Sequence, residues 1–411
     1  MTGPRLAEGG AAQMGWLTFL LALSCGLIAG NLYYTQPLVG SIARDLALTP
    51  EAQGLIVTLG QVGYVLGLLL IVPLTDRVEN RRLVVSLLVL AAAGLVGVAL
   101  APNGGLFLLA MFAVGLGSVA IQVLVPFAAH LAPEAIRGRV VGNVMSGLML
   151  GIMASRPLSS FIANLLSWHA VFFLSAGAMA ILLVVHSVLL PRRDPNPKPR
   201  YGDLMLSMVG LVLTMPDLRR RAISHAGLFA SFSLFWTTAP LYLSGPAFNL
   251  SLAGIGWVSL AGVAGAVAAP IAGRIADRGW GFPASITAMC MVGLSFPMTF
   301  LGPMTGFGET GSTFALGLVV AAAILVDFGV TMNLVVNQRV IFSQAPEIRG
   351  RLNGLYMAIF FMGGALGSAL GGWAFALGGW KGASLAGFLF PALSLGIFLW
   401  GGIRLARSHK G

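Results

Sequence analysis

Apolar stretches about as long as a bilayer is thick recur along the whole chain. Clear examples are residues 17–28, 83–100, 171–190 and 385–400, and their spacing leaves room for roughly twelve spans of about 20 residues each. Charged residues make up only 9% of the 411 residues, too few to cover a soluble globule with a solvated surface. Short alternating strands are absent. The sequence therefore predicts an all-α integral membrane protein.

One segment divides the predicted spans into two sets of six. Residues 191–221 are rich in proline, charge and turn residues, and they are expected to form a cytoplasmic interdomain linker. We expect a cytoplasmic tail at 1–14, a six-helix bundle at 15–190, a second bundle at 222–405 and a tail at 406–411. The predicted spans are 15–37, 52–74, 83–101, 105–131, 140–164, 169–190, 222–244, 253–275, 284–303, 313–340, 352–376 and 382–405.

The formal net charge of +11 is distributed in a way that excludes nucleic-acid binding. The basic residues lie in short clusters between apolar spans rather than on one face. Assigning every second loop to the cytoplasm collects nearly all of them there and leaves Arg44 and Lys381 outside, as the positive-inside rule requires. Both termini are therefore predicted to be cytoplasmic.

An internal repeat supports the division into halves. Residues 133–139 read Pro-Glu-Ala-Ile-Arg-Gly-Arg and residues 346–351 read Pro-Glu-Ile-Arg-Gly-Arg, and at the same offset of 212 Gly151 matches Gly363. A second echo places an Asp-Arg pair after the second span, at 76–77, and after the eighth, at 277–278. Two matches in corresponding places indicate two related halves.

Twelve spans in two repeats, with Asp-Arg and Arg-Gly-Arg loops at these positions, resemble the major facilitator superfamily. Residues 31–37, Asn-Leu-Tyr-Tyr-Thr-Gln-Pro, and residues 147–156 are similar to a bacterial subgroup of efflux permeases. The resemblance implies two pseudo-symmetric six-helix bundles in the major facilitator fold, located in a bacterial inner membrane. It also implies a transporter that acts as a monomer, with no cofactor and no enzymatic activity, and with spans 1, 4, 7 and 10 lining the pathway.

The charged loops are candidates for a cytoplasmic gate. A carboxylate at Asp76 could accept from free amides at the start of the eleventh span, near Asn353 and Gly354, and Asp277 could do the same near Gly142. The alternative is that these charges only anchor the topology. The candidate gate residues are Asp76, Arg77, Arg82, Glu134, Arg137, Asp277, Arg278, Glu347 and Arg349.

Two charges lie within spans and fit no loop: Arg156 in the fifth and Asp327 in the tenth. Each costs several kcal/mol in hydrocarbon unless it is paired, hydrated or facing a cavity. With an axial offset of roughly 9 Å between them, a long arginine could bridge much of the gap. We expect Asp327 to couple transport to protons, with Arg156 as its partner; a fixed structural ion pair between the halves is the alternative.

Polar and aromatic side chains in the pathway spans are candidates for substrate contact. Any one of them could instead lie in an interfacial belt or between helices. The candidate substrate-binding residues are Asn31, Tyr34, Gln122, Trp236, Asn333 and Asn337.

The favoured function is secondary active transport, with proton-coupled export of a small organic compound by alternating access. Within transport, the alternative is proton-coupled uptake or exchange of a sugar, sugar acid or organic anion, with Arg156 binding the anion. An integral-membrane enzyme would need clustered His, Glu or Cys at a membrane face, and the sequence has no such constellation. No metal site is expected, and the partners are a small-molecule substrate, protons and the lipid bilayer.

Overall fold

The computed structural model describes the backbone of residues 5–193, 200–301, 308–343 and 346–408. Side chains are described within residues 14–400, apart from 135, 194–199, 302–312, 342 and 344–349. The described backbone consists of helices joined by turns and short loops, without strands. The predicted all-α class is therefore confirmed.

Six membrane helices form the first half, and they follow one another with short connections. The first predicted span was too long at its end, because α1 stops at Gly30 and residues 31–35 turn toward a short helix at Val39–Asp45. The helices are α1 Arg5–Gly30, α2 Pro50–Asp76, α3 Asn80–Leu100, α4 Gly104–Leu131, α5 Arg137–Leu165 and α6 Trp168–Leu189.

The second half begins earlier than the charge pattern suggested. A helix at Tyr201–Thr214, called the linker helix below, precedes α7, which starts at Pro216 with Asp217 in its first turn. Proline is well placed there because its missing N–H is one that a helix start leaves unpaired anyway. The next helices are α8 Leu252–Asp277, α9 Gly281–Met298 and α10 Gly308–Phe342.

The last helical stretch, Pro346–Ser408, is two membrane helices. Its apolar window of 51 residues would extend about 76 Å, more than twice the hydrocarbon thickness. The backbone leaves helical geometry at Gly378 and Gly379, where Gly379 has φ +56°, a conformation that glycine adopts without a steric penalty. Residues 346–377 are α11 and residues 380–408 are α12. With Met14–Gly30 as the apolar part of α1, the described chain has twelve membrane helices.

Close glycine contacts pack one pair of helices together within each half, and the two pairs correspond to each other. A Cβ on Gly151 of α5 would lie 2.2 Å from the carbonyl oxygen of Gly26 in α1. In the second half, a Cβ on Gly363 of α11 would lie 2.1 Å from the carbonyl oxygen of Ala226 in α7. The two glycines matched by the sequence repeat therefore stand at equivalent helix crossings, where small residues let backbones approach.

An even number of crossings places the two ends of the described helices, Arg5 and Ser408, on one face of the bundle, called the terminal side below; the other is the far side. On the far side the halves are in contact. Thr58 of α2 and Ser368 of α11 share a hydrogen bond of 2.7 Å, and Gln61 donates to Ser233 of α7 at 3.0 Å. Toward the terminal side the halves diverge around a cavity.

Candidate functional site

The central cavity lies between the halves and has a volume of about 590 Å³. Its inner end is formed by Arg156 and Asp327, and its lining continues along α10 to Gln338 and along α11 to Asn353 near the terminal side. Helices α1, α2, α4, α5, α7, α10 and α11 contribute to the wall. Because the halves meet on the far side, this conformation is open toward the terminal side.

The two unassigned charges of the sequence meet at the inner end. Both terminal nitrogens of Arg156 lie 3.4 Å from Oδ1 of Asp327, and the side chains are only 1% and 7% exposed. Arg156 belongs to α5 of the first half and Asp327 to α10 of the second. The pair therefore joins the halves, and each charge compensates a partner that would be costly to bury alone.

Aromatic rings surround the guanidinium of Arg156. Its carbon lies 4.2 Å from the ring centroid of Trp236, 5.0 Å from that of Phe232 and 5.8 Å from that of Tyr33, within the range of cation–π attraction. The Trp236 indole also donates to Oδ2 of Asp327 at 2.7 Å. Arg156 Nε donates to Gln36 at 3.0 Å. Trp236 thus contacts both members of the pair and fixes their relative position.

A glycine makes room for this arrangement. Gly262 lies in a 3₁₀ turn at Leu260–Val263, within α8. A Cβ there would lie 2.5 Å from Nη1 of Arg156 and 3.3 Å from Oδ1 of Asp327. Any larger residue would displace the guanidinium, so the approach of α8 to the pair depends on Gly262.

Away from the pair, the cavity wall is mainly aromatic and thioether. Tyr64 and Phe361 have ring centroids 4.5 Å apart, and Phe229 stacks on Phe360 at 3.8 Å. Methionine side chains from α5 and α11 adapt readily to ligand shape; those in the wall are Met145, Met149, Met153 and Met357. Such a surface suits a ligand with an apolar or aromatic body.

A few uncharged polar groups interrupt this surface. Gln122 donates to the hydroxyl of Tyr64 at 3.0 Å. The side-chain oxygen of Asn353 is buried without a hydrogen-bond partner in the described structure. Gln338 and Thr331 complete the polar positions. Within the described part of the chain, Arg156 and Asp327 are the cavity's charged side chains.

Of the six predicted substrate-binding residues, Gln122 lines the cavity and Trp236 packs on the pair at its inner end. Asn31 instead accepts from Ser175 at 2.6 Å and faces α6. Tyr34 borders a different groove, between α1 and α5.

The two asparagines of α10 lie behind the cavity wall. Asn337 accepts from Arg221 at 2.9 Å. The amide atoms of Asn333 are buried, and neither has a hydrogen-bond partner among the described groups. The structure therefore brings two of the six candidates to the site.

The candidate gate residues are spread over the terminal face. Asp76 and Arg77 are exposed, and Asp277 pairs with Arg339 of its own half. Arg82 pairs with Glu79 at 3.5 Å. Exposed side chains are also found at Glu134, Arg137 and Arg278, whereas the side chains of Glu347 and Arg349 lie outside the described residues. In this conformation none of the described gate side chains bonds across to the other half.

Sequence reasoning missed several residues of the site. The predicted first span, 15–37, is a continuous helix, and it puts Gln36 near the outer end of that helix. The turn after Gly30 instead brings Gln36 to Arg156. The signal for the aromatic wall was present in α7, where Phe229, Phe232 and Trp236 recur at helical spacing and share one face. The clearance at Gly262 had no local signal.

Comparison with known proteins identifies the family. The Major Facilitator Superfamily model matches residues 18–307 and 221–410. The chain belongs to the major facilitator superfamily. It is similar to an uncharacterized transporter, YgaY, of Escherichia coli, with 37% identity over 379 residues that cover 92% of this chain and 94% of the relative. A probable transporter of Streptomyces coelicolor is 34% identical over 88% of this chain and 82% of its own length.

Solved structures agree with the superfamily fold. A crystal structure of the nucleoside transporter NupG has a TM-score of 0.71 at 14% identity, covering 94% of this chain and 99% of that chain. The human organic anion transporter MFSD10 has a TM-score of 0.65 at 16% identity, with the same coverage. The resemblance predicted from the sequence is confirmed, and the protein is a multi-pass membrane transporter of the major facilitator type, not an enzyme.

Proposed function

We propose that this transporter is a secondary active carrier that exports a small organic compound in exchange for protons. The observation that carries the proposal is the buried Arg156–Asp327 pair, which joins the two halves at the closed end of the cavity. An ionisable pair inside the membrane is expensive, and such residues mark proton and substrate pathways. The carrier is proposed to act as a monomer.

Charge distribution supports the sidedness of the proposal. The loops on the terminal side carry clusters of arginine, at residues 77–82, 137–139 and 192–193, whereas Arg44 stands alone in the first loop of the far side. Basic loops remain in the cytoplasm. The terminal side is then cytoplasmic in a bacterial inner membrane, and the open cavity is the cytoplasm-facing state from which an exporter loads.

Protonation of Asp327 is the proposed coupling step. Substrate that enters from the cytoplasm weakens the bond between Arg156 and Asp327, so the halves can separate on the far side and the substrate leaves. Asp327 then takes up a proton from outside, and the protonated carrier returns to the state that is open on the terminal side. Loss of the proton to the cytoplasm restores the ion pair. Two states that differ in their affinity for a proton are what coupling requires.

The terminal-side charges are proposed to close the cavity in the opposite state. The structure starts α11 at Pro346 and α5 at Arg137, so Asn353 and Gly142 lie past the first turns that were expected to supply free amides. Asp76 is proposed to approach the first two turns of α11, which end near Asn353, and Asp277 those of α5, which end near Gly142, where the positive end of each helix dipole favours a carboxylate. There is space for this approach, because added Cβ atoms on Gly142 and Gly354 would meet no atom within 4 Å.

The lining supports an organic substrate with an apolar or aromatic body. A sugar needs many hydrogen-bond partners, and the wall offers few beside Gln122, Gln338 and Asn353. The second candidate, an organic anion, is favoured by one observation: Arg156 faces the cavity with its guanidinium. In that case the anion would compete with Asp327 for the arginine.

Transport in inverted membrane vesicles tests the proposal. Cationic, neutral and anionic aromatic solutes are screened with an imposed pH gradient, using wild type, Asp327→Asn and Arg156→Ala. The matched control is Asp45→Asn, because Asp45 also accepts from a tryptophan indole, that of Trp168 at 2.6 Å, but lies outside the cavity.

Loss of pH-driven accumulation in Asp327→Asn, with Asp45→Asn unaffected, is the expected result. If Asp327→Asn retains full pH-driven transport, the coupling proposal is wrong. Transport of anions that is abolished by Arg156→Ala and insensitive to Asp327→Asn identifies an anion carrier instead.

A further inference from the structure

A second cavity, of about 840 Å³, lies between α1 and α5 on the outside of the first half. Its walls include Phe19 and Leu23 of α1 and Leu150 and Leu158 of α5, which are 57%, 45%, 65% and 48% exposed. The central cavity lies against the opposite faces of the same two helices. The second cavity is therefore a groove that faces lipid, and it is called the α1–α5 groove below.

Polarity changes along the α1–α5 groove. At the terminal side its α5 wall carries Arg139, Asn143 and Ser146; farther along the same face come Leu150, Ala154 and Leu158. The distance from the arginine to the last leucine is about 28 Å along the helix. The apolar trough from Leu150 to Leu158 takes up about 12 Å of that length, close to the depth of one leaflet, about 15 Å. This gradient, from a cationic end to an apolar trough, matches an anionic phospholipid.

The cationic end is unoccupied by the protein itself. Within the described structure Arg139 is exposed and has neither an ion pair nor a side-chain hydrogen bond. It lies in the first turn of α5, where the positive end of the helix dipole favours an anion. Two side-chain donors thus line this end of the groove: the Arg139 guanidinium and the Asn143 amide.

In the second half, the position that corresponds to Arg139 is covered by another part of the chain. Arg351, which the repeat matches to Arg139, donates to Ser207 of the linker helix at 2.7 Å. Leu211 of that helix and Met215 after it pack on a cluster that includes Leu352 of α11. In the second half the chain itself covers the arginine, whereas Arg139 and the adjoining trough remain open.

We propose that the α1–α5 groove binds one anionic phospholipid from the terminal-side leaflet. Its phosphate contacts Arg139 and Asn143, and one acyl chain lies in the trough along Leu150 and Leu158. Basic pockets between membrane helices on the cytoplasmic side suit such headgroups. Because α5 also carries Arg156, the lipid contacts a helix that forms the transport site.

Native mass spectrometry of the full chain in detergent tests the site. The probes are phosphatidylglycerol and phosphatidylcholine with identical acyl chains. Arg139→Gln removes the cation, and Ala154→Phe fills the trough at an exposed position. Arg192→Gln is the matched control, since it removes an exposed arginine on the same side outside the groove.

One phosphatidylglycerol is expected to remain bound per wild-type chain, in preference to phosphatidylcholine. Arg139→Gln should weaken binding about fivefold, as expected for one basic residue near a headgroup, and Ala154→Phe should abolish it. Arg192→Gln and Arg139→Lys should bind as wild type does.

Equal retention of both lipids would overturn the proposal. So would an effect of Arg192→Gln as large as that of Arg139→Gln, which would indicate diffuse attraction to the whole face. A wild-type dimer that Ala154→Phe converts to monomers would assign the groove to a second copy of the chain. Transport assays are not needed for this test, so its failure leaves the proposed transport function unaffected.

Discussion

The two halves contact each other on the far side at two crossings, each of which uses a position matched by the repeat, and the crossings differ in chemistry. The repeat matches Arg156 of α5 to Ser368 of α11. Arg156 reaches across to Asp327 of the other half, whereas Ser368 reaches across to the hydroxyl of Thr58. One scaffold therefore carries an ionic contact that a proton can switch and a neutral contact that it cannot. The proposed coupling at Arg156 and Asp327 rests on this asymmetry rather than on the shared architecture.

The largest expected effect comes from breaking the ionic crossing on one side only. Arg156→Ala leaves Asp327 buried without its cation, which should destabilise the protein by about 3–5 kcal/mol. Thermal unfolding in detergent measures this change. The double variant Arg156→Ala/Asp327→Asn should recover much of the loss, because no uncompensated charge remains. Equal destabilisation in the single and double variants would mean that the charges do not interact.

Removal of the indole donor should have the next largest effect. Trp236→Phe keeps an aromatic ring over the guanidinium but deletes the hydrogen bond to Asp327, at a cost of about 1.5–3 kcal/mol for a bond to a charged group. Trp168→Phe is the comparison outside the cavity, since it removes a similar bond to the exposed Asp45. Only Trp236→Phe should also alter the pH dependence of transport; an unchanged pH profile would limit Trp236 to a packing role.

The two crossings also differ in what lies next to the glycine at each of them. A Cβ on Gly54 of α2 would lie 2.2 Å from the carbonyl oxygen of Ser368, whereas a Cβ on Gly262 would meet the movable end of Arg156. Gly54→Ala should therefore force α2 and α11 apart and destabilise by about 1–3 kcal/mol. Gly262→Ala should cost less stability and disturb coupling more. Thermal unfolding and pH-driven vesicle transport of both variants measure the two effects. A larger stability loss in Gly262→Ala than in Gly54→Ala would contradict the prediction.

The smallest effect is expected at the neutral crossing. Thr58→Ala removes one hydroxyl pair, for which about 0.5–1.5 kcal/mol is the ordinary contribution. Ser368 still donates to Ala365 of its own helix at 3.1 Å, so it is not left unpaired. The thermal unfolding temperature should fall slightly, and pH-driven transport should persist. Loss of pH-driven transport in Thr58→Ala would remove the distinction between the crossings.

The sequence predicts the fold and the centre of the site for the same physical reason. Hydrocarbon requires long apolar spans, so the number of spans and the two charges within them, Arg156 and Asp327, can be recognised in the sequence alone. Residues that matter because distant segments pack together cannot be recognised in this way. Gln36 reaches the arginine because the backbone turns after Gly30, and Gly262 matters only once α8 is packed beside the pair.

Polar residues were the least predictable group. Asn31 and Asn337 accept hydrogen bonds from neighbouring helices and do not face the cavity, since polar groups in a membrane interior bond to any partner that is near. The start of α7 was hidden because its first turns carry arginines that resemble a loop. The helical spacing of the aromatic residues of α7 predicts that they share one face. The spacing does not tell which face of α7 lies against the other half.

The neutrality of the Arg156–Asp327 pair has an electrical consequence under the proposed cycle. With both groups ionised, the site carries no net charge, so membrane voltage exerts little force on the exchange of states. Once Asp327 is protonated, the unbalanced arginine carries one positive charge, and voltage acts on that step by up to about 2.3 kcal/mol per 100 mV if the charge crosses the whole field. The conformational step of the carrier with protonated Asp327 would then move charge across the membrane, and current recordings would register it.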